Sequence, residues 1–329
     1  MATSPVDRRS FLAGTAGYLA LAASATSAAS RAATGSAPKN GGGASSPQRS
    51  LRLGAPLSLK DDDPEVLAQA HRKKGYRAAY CPDIPLGDAD RIRATEAAFA
   101  RHDVVIAEVG RWVNLLAADA AERRKNLQTV THGLALADAV GARCCVDIAG
   151  SFNPDSWLGP HPDNLSQRFL EAAVENARAI IDAVKPTRTT FCYEMMAWSL
   201  PDSPDAALRM ARAVDRKAFS IHLDVCNLVN SPTHYYRSSD LIRESYAKLG
   251  PMIASVHVKD LTWIIEMAVR FKEVRAGLGS IDHGLWLAEH AQLTPEVPLM
   301  LEHLESDAEY DAARDHLFEV GRKGGVSFA

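Results

Sequence analysis

From Leu51 onward, short apolar runs alternate with longer stretches in which apolar residues recur every three to four positions. The runs "LRLGAPLSL", "AAYCPD", "VVIAEVG", "CCVDIAG", "TTFCYE", "SIHLDV", "IASVHVKD" and "VPLMLEHL" are short and bounded by turn-forming residues, which predicts strands buried on both faces. Segments such as "ERRKNLQTVTHGLALADAVG" and "SQRFLEAAVENARAIIDAV" carry the helical period. Eight such alternations have the size and rhythm of an α/β fold of the (β/α)8 TIM-barrel type. A doubly wound open sheet shares that rhythm. It calls for a glycine-rich phosphate turn after its first strand, and "LGAPLSLKDDDP" offers none.

The first fifty residues do not follow this pattern. Arg8 and Arg9 precede Ser-Phe-Leu and an Ala-rich apolar run over 11–25, closed by Ala23-Ser24-Ala25. The run is too short to span a bilayer and reads as a twin-arginine-type signal peptide over 1–30. A Gly/Ser/Pro-rich linker follows over 31–50, then a single barrel domain over 51–329. This predicts export to the periplasm or beyond, with no stable membrane insertion of the mature chain. The five cysteines are odd in number and form no CxxC pair, so the pattern is one of free buried thiols rather than a disulfide framework. A net charge of -3 supplies no footprint for nucleic acid.

Four predicted neighbouring strands end on ionisable side chains: Glu194, Asp224, His257 and Glu302. A barrel gathers the C-terminal ends of its strands at one mouth. Three carboxylates brought together there repel one another unless some are protonated or a cation sits among them. With one imidazole, they make an oxygen-rich site for one divalent metal ion, Mn2+ in preference to Mg2+, Co2+ or Zn2+. Strand alternation puts Lys259 on the face of His257 and His222 on the face of Asp224, as substrate contacts. It puts Asp260 and His303 on the opposite parity, Asp260 to cap a turn and His303 to face a helix. Glu108, followed by Arg111 and Trp112, ends the third strand. Trp157, Trp198 and Arg275 lie in loops that reach the mouth, where aromatics stack on sugar rings.

These motifs, "CYEMMAW", "HLDVCN", "SVHVKD", "GLGSID" and "PLMLEHLE", resemble in order and spacing the xylose isomerase-like barrels, which include ketose 3-epimerases and inosose dehydratases. The resemblance implies Glu194, Asp224, His257 and Glu302 as metal ligands, with Glu194 and Glu302 as the acid-base pair. It also matches Gly277, Gly279 and Asp282 to the family's Gly-x-Gly-x-x-Asp segment. The chain departs from many ketose epimerases at Asp224-x-x-Asn227, where they carry a histidine; Asn227 takes that substrate-facing place. The expected activity is that of a sugar isomerase, epimerase or lyase. It would abstract a proton beside a carbonyl through a metal-stabilised enediolate, on a keto sugar, cyclitol or keto-glycoside. A carbohydrate-binding barrel without turnover is the alternative. A trinuclear-zinc nuclease needs more histidines than strands two and three supply. The small-molecule carbohydrate is the expected partner, and a homo-oligomer is left open.

Overall fold

The computed structural model describes residues 50–293 and 297–329; the expected signal peptide and all but the last residue of the expected linker lie outside them. Eight parallel strands close on themselves: β1 (Ser50–Gly54), β2 (Ala78–Tyr80), β3 (Val105–Gly110), β4 (Cys144–Asp147), β5 (Thr190–Glu194), β6 (Phe219–Asp224), β7 (Ile253–Val258) and, later in the chain, β10 (Pro298–Leu301). Each pairs with the next in this series, and β10 pairs with β1, Arg52 opposite Pro298, to complete the barrel. Every strand expected from the apolar runs is present.

The outer ring is built from α1 (Pro64–Lys73), α2 (Ala89–Arg101), α3 (Ala120–Val140), α4 (Gln167–Val184), α5 (Pro204–Val214), two short helices α6 (Val225–Leu228) and α7 (Pro232–Tyr236), then α8 (Ser238–Leu249), α9 (His283–His290) and α10 (Asp307–Gly324). Their starts are written in the sequence. Asp63, Asp88, Asp119, Ser166, Ser203 and Ser306 each accept a hydrogen bond from a first-turn N–H. Each cap satisfies a donor that would otherwise have no partner, typically about 1 kcal/mol of helix stability. No described helix is long and apolar enough to cross a membrane.

The main core lies between sheet and helices, where outward-facing Leu53, Ile106, Tyr193 and Leu299 meet Phe99, Leu134 and Phe169. Inside the barrel the packing differs. Only small clusters of Ala78, Ala107 and Met300, and of Cys144, Val146, Cys192 and Ala254, are apolar. Barrels are commonly filled by bulky branched residues. Here small side chains leave room for a buried polar layer, Glu108, His222, Ser255 and His257, each with no solvent exposure. All five cysteines are free.

One element was not anticipated. Between β7 and α9 the chain forms an antiparallel hairpin, β8 (Asp260–Trp263) and β9 (Phe271–Val274). A last short strand, β11 (Ser327–Phe328), pairs with β1 outside the barrel.

Candidate active site

The four strand-end residues do converge. One ligand atom from each of Glu194, Asp224, His257 and Glu302 lies within 4.8 Å of all the others. His257 Nδ1 faces the three carboxylates, 2.9 Å from Glu302 Oε1, 3.3 Å from Glu194 Oε1 and 3.8 Å from Asp224 Oδ2. Lys259 reaches the same point, its Nζ 2.6 Å from both Asp224 Oδ2 and Glu302 Oε1. It is 4 % exposed. Its inward direction is the one that strand alternation from His257 predicts.

One ammonium among three buried carboxylates leaves the cluster short of positive charge. Burial, with Glu302 and Glu194 nearby, pushes the Asp224 carboxyl up to about 6 despite Lys259. Burial would raise Glu194 as well, but the His257 imidazole outweighs it and holds that carboxyl below its ordinary value. Asp224 Oδ2 and Glu302 Oε1 are buried without a well-formed hydrogen bond, although the lysine is close. Oxygen donors of this kind, with one imidazole nitrogen, fit a hard or borderline divalent cation. The donor set therefore suits a divalent cation.

Beneath the cluster the polar layer holds the histidine from behind. His257 Nε2 lies 3.4 Å from Glu108 Oε2, and neither atom has a hydrogen-bond partner elsewhere. Glu108 Oε1 is 3.0 Å from His222 Nε2 and accepts a hydrogen bond from Ser255 Oγ. Burial favours the neutral acid, yet the two imidazoles overcome it and hold Glu108 well below the usual carboxylate range. A carboxylate on one ring nitrogen orients the other toward a ligand position.

This corrects three expectations. Glu108 and His222 were expected to touch substrate, but both are fully buried and serve the back of His257. Parity placed His222 on the correct face; it lies two residues deeper than Asp224, below the mouth. Arg275 pairs instead with Glu309 of α10, its Nε 3.1 Å from the carboxylate, and does not line the mouth. His303 corrects a fourth. Alternation predicted that it faces a helix, but β10 ends at Leu301, so the rule has lapsed before it is applied. His303 adopts φ +57 and lines the mouth, with Nδ1 2.8 Å from Glu273 Oε2.

Above the cluster a cavity of about 600 Å3 opens at the barrel mouth. Glu194, Glu302 and Asn227 border it, as does Trp198, while Trp112, Trp157, Leu158 and Met196 form an apolar wall. Trp112 Nε1 donates to Glu194 Oε2 at 2.7 Å, and Asn227 Nδ2 donates to Glu194 Oε1 at 3.1 Å. Asn227 Oδ1 accepts from Lys259 at 3.3 Å. Glu194 is thus fixed at both oxygens, and Asn227 bridges it to Lys259. Trp112 lay beside a noted strand end, but nothing local shows that its indole crosses to β5.

Glu273 could not be read from sequence at all. It belongs to the hairpin, and its carboxylate lies 3.1 Å from Lys259 Nζ. Asp260 was expected to cap the turn that follows it; instead it ties down the segment beyond the hairpin, accepting from the backbone N–H groups of Gly277, Gly279 and Ile281 as well as its neighbour Leu261. Gly277 has φ +91, and a Cβ on Gly279 would lie 2.2 Å from an Asp260 oxygen, so both positions require glycine. Asp282 caps α9 through Leu285 N.

Comparison with known proteins agrees with this architecture. No curated protein sequence matches the chain. Among solved structures, it is similar to 3-keto-D-glucoside 4-epimerase from E. coli (TM-score 0.61, 12 % identity, 83 % of this chain and 99 % of that one). A xylose isomerase-like barrel from Mycobacterium smegmatis in complex with magnesium gives TM-score 0.57 and 19 % identity over 84 % and 98 % of the two chains. Endonuclease IV from Thermus thermophilus gives TM-score 0.60 and 15 % identity over 83 % and 99 %. At these identities the likeness is one of fold. The family model described as xylose isomerase-like TIM barrel matches residues 68–320, and the chain belongs to that family.

Proposed function

We propose that this protein is a divalent-metal-dependent sugar isomerase, epimerase or lyase that moves a proton beside a carbonyl. The observation that carries this reading is the single point on which His257 Nδ1, three carboxylates and Lys259 converge, at the floor of an aromatic-walled cavity. Glu194, Asp224, His257 and Glu302 would hold the ion, with Mn2+ the favoured metal. Bound there, it supplies Lewis-acid stabilisation of the charge that develops on a ketone oxygen as the neighbouring C–H is lost.

The remaining work falls to side chains. Glu194 and Glu302 come from strands separated by β6 and β7, so they approach a substrate from different sides. One removes the proton and the other returns it. Trp112 and Asn227 keep Glu194 aimed, and Lys259 supports negative charge on a neighbouring oxygen. Trp157 and Trp198 offer faces for a sugar ring. Reprotonation on the opposite face gives epimerisation, on the adjacent carbon isomerisation; loss of a β-substituent gives elimination. The twin-arginine segment supports action outside the cytoplasm, which favours an unphosphorylated keto sugar or keto-glycoside.

Solvent deuterium exchange tests the reading. Incubated with Mn2+ and a panel of keto sugars in D2O, the wild type should label the carbon beside the ketone. Glu194→Gln and Glu302→Gln should not. Binding without exchange would instead identify a carbohydrate-binding barrel.

A further inference from the structure

His303 lines the active-site cavity, yet the proton-transfer reading gives it no task. It directly follows Glu302, and its side chain is 60 % exposed. Its φ of +57 lies in the left-handed region, which is unfavourable for a side chain with a Cβ, although histidine enters it more often than most. An ion pair in solvent contributes less than such a backbone conformation costs, so the pair with Glu273 does not by itself account for it. Strained residues of this kind gather at ligand sites, and here the turn brings the imidazole to the cavity wall.

Both oxygens of Glu273 engage groups at the mouth. Oε2 lies 2.8 Å from His303 Nδ1, and Oε1 lies 3.1 Å from Lys259 Nζ. A carboxylate only accepts, so Nδ1 carries a hydrogen and Nε2 is left at the other end of the ring. Nε2 has no hydrogen bond to a described residue; it lies 3.5 Å from Glu302 Oε2, too far for a well-formed one.

Glu273 is itself held firmly. In β9 it stands opposite Leu261, and Phe271 stands opposite Trp263, so alternation puts Glu273 and Phe271 on one face. Phe271 stacks on Tyr235 of α7, ring centroids 5.1 Å apart, and meets the edge of Trp263 at 5.2 Å. These three rings anchor the hairpin on the face that carries the carboxylate.

We infer that His303 is a substrate-binding residue and Glu273 its positioning residue: Nε2 hydrogen-bonds a sugar hydroxyl on, or next to, the carbon whose proton Glu302 handles. Nε2 and Glu302 Oε2 are close enough together to reach neighbouring atoms of one sugar. Either state of the ring serves, because a neutral Nε2 accepts from the hydroxyl and a protonated one donates to its oxygen. The contact selects for a substrate that bears this hydroxyl, since an analogue without it leaves a polar group unmatched. The inference rests on the proton-transfer reading and adds a specificity-determining contact to it.

Calorimetry and exchange kinetics on the Mn2+-loaded protein test this, with D-fructose, D-psicose, D-tagatose and methyl 3-ketoglucoside as probes. For a ketone that the wild type labels in D2O, His303→Gly should raise Kd and KM about tenfold or more, with kcat changed less. Glycine adopts the positive φ freely, so the fold is kept, and Mn2+ affinity in competition with a chelator should stay within about twofold. One deoxy analogue of that ketone should bind the wild type as weakly as the parent binds His303→Gly, and should lose nothing further on that substitution. Glu273→Ala should weaken the parent too, and the double variant should bind no more than about threefold less tightly than the weaker single one. Wild-type affinity in His303→Gly, or the same loss for every deoxy analogue as for the parent, overturns the contact. Fully additive losses overturn Glu273 as its positioning residue. If Glu194→Gln abolishes exchange while His303→Gly leaves Kd and KM unchanged, the proton-transfer reading stands without this contact. If the wild type labels no ketone, both fall.

Discussion

β4 and β6 each end on an aspartate with no solvent exposure, yet Asp147 and Asp224 lie in opposite surroundings. Asp224 has Lys259 at 2.6 Å and His257 at 3.8 Å. Asp147 accepts from the Val113 N–H at 2.9 Å, and its other oxygen has no hydrogen-bond partner. Burial therefore pushes Asp147 well above its ordinary value, whereas Lys259 restrains the rise at Asp224. The imidazoles show the same contrast with the sign reversed. Burial opposes charge on His257, but surrounding groups that include Glu302, Glu108 and Glu194 raise it well above its usual value. No charged partner offsets burial at His71 or His290, and burial lowers both to about 4. What a buried ionisable side chain does here is decided by its partners, because desolvation acts on all of them alike.

That contrast can be broken at several points. The largest effect should come from Glu194→Gln, which keeps the shape but removes the base and one of the two acceptor oxygens that Trp112 and Asn227 hold; kcat for deuterium exchange should fall roughly 10²–10⁴-fold. A change of less than tenfold would remove Glu194 from the proton transfer.

The lowered imidazoles carry a pH dependence. A histidine whose folded pKa lies below its unfolded value stabilises the fold fully above about 6.5, and that stability is lost as pH falls through the interval toward about 4. At about 1.4 kcal/mol per unit, His71 alone contributes on the order of 3 kcal/mol of acid destabilisation. Urea unfolding at pH 7 and pH 4.5 should show His71→Leu losing less stability than wild type over that range. An unchanged difference would mean that His71 is solvated.

Glu108→Gln sharpens the comparison from behind the cluster. Without a carboxylate on Nε2, His257 should bind Mn2+ roughly 10–100-fold more weakly in competition with a chelator. Wild-type affinity would make Glu108 a packing element only. The smallest effect belongs to Asp147→Asn. With burial favouring the neutral acid, the amide should replace it at little cost, so Tm should shift by no more than about 1 kcal/mol of stability implies, a few degrees. A large drop would show Asp147 to be ionised.

The legible parts of the site were those that periodicity alone can place. Glu194, Asp224 and His257 lie at or near the ends of recognisable strands, so their direction followed from a period of two, and Glu302 comes one residue after β10. Depth was not legible: His222 shares a face with Asp224, but only the packing beneath the mouth shows that Glu108 holds it. His303 was misjudged because alternation stops where the strand stops. Arg275 was misjudged because a loop side chain chooses its partner in space, and Glu309 was nearest.

By itself the sequence determined the eight strand-helix units, the caps that start the helices and the four side chains gathered at the mouth. These depend on local periodicity and on short-range hydrogen bonds. Only the tertiary structure decided the hairpin that delivers Glu273 to Lys259, the indole of Trp112 on Glu194 and the buried Glu108 behind His257. The last two join residues far apart in the chain through low-dielectric contact inside the barrel, and the first brings a partly exposed hairpin carboxylate over Lys259; no local pattern of hydrophobic and polar positions records either.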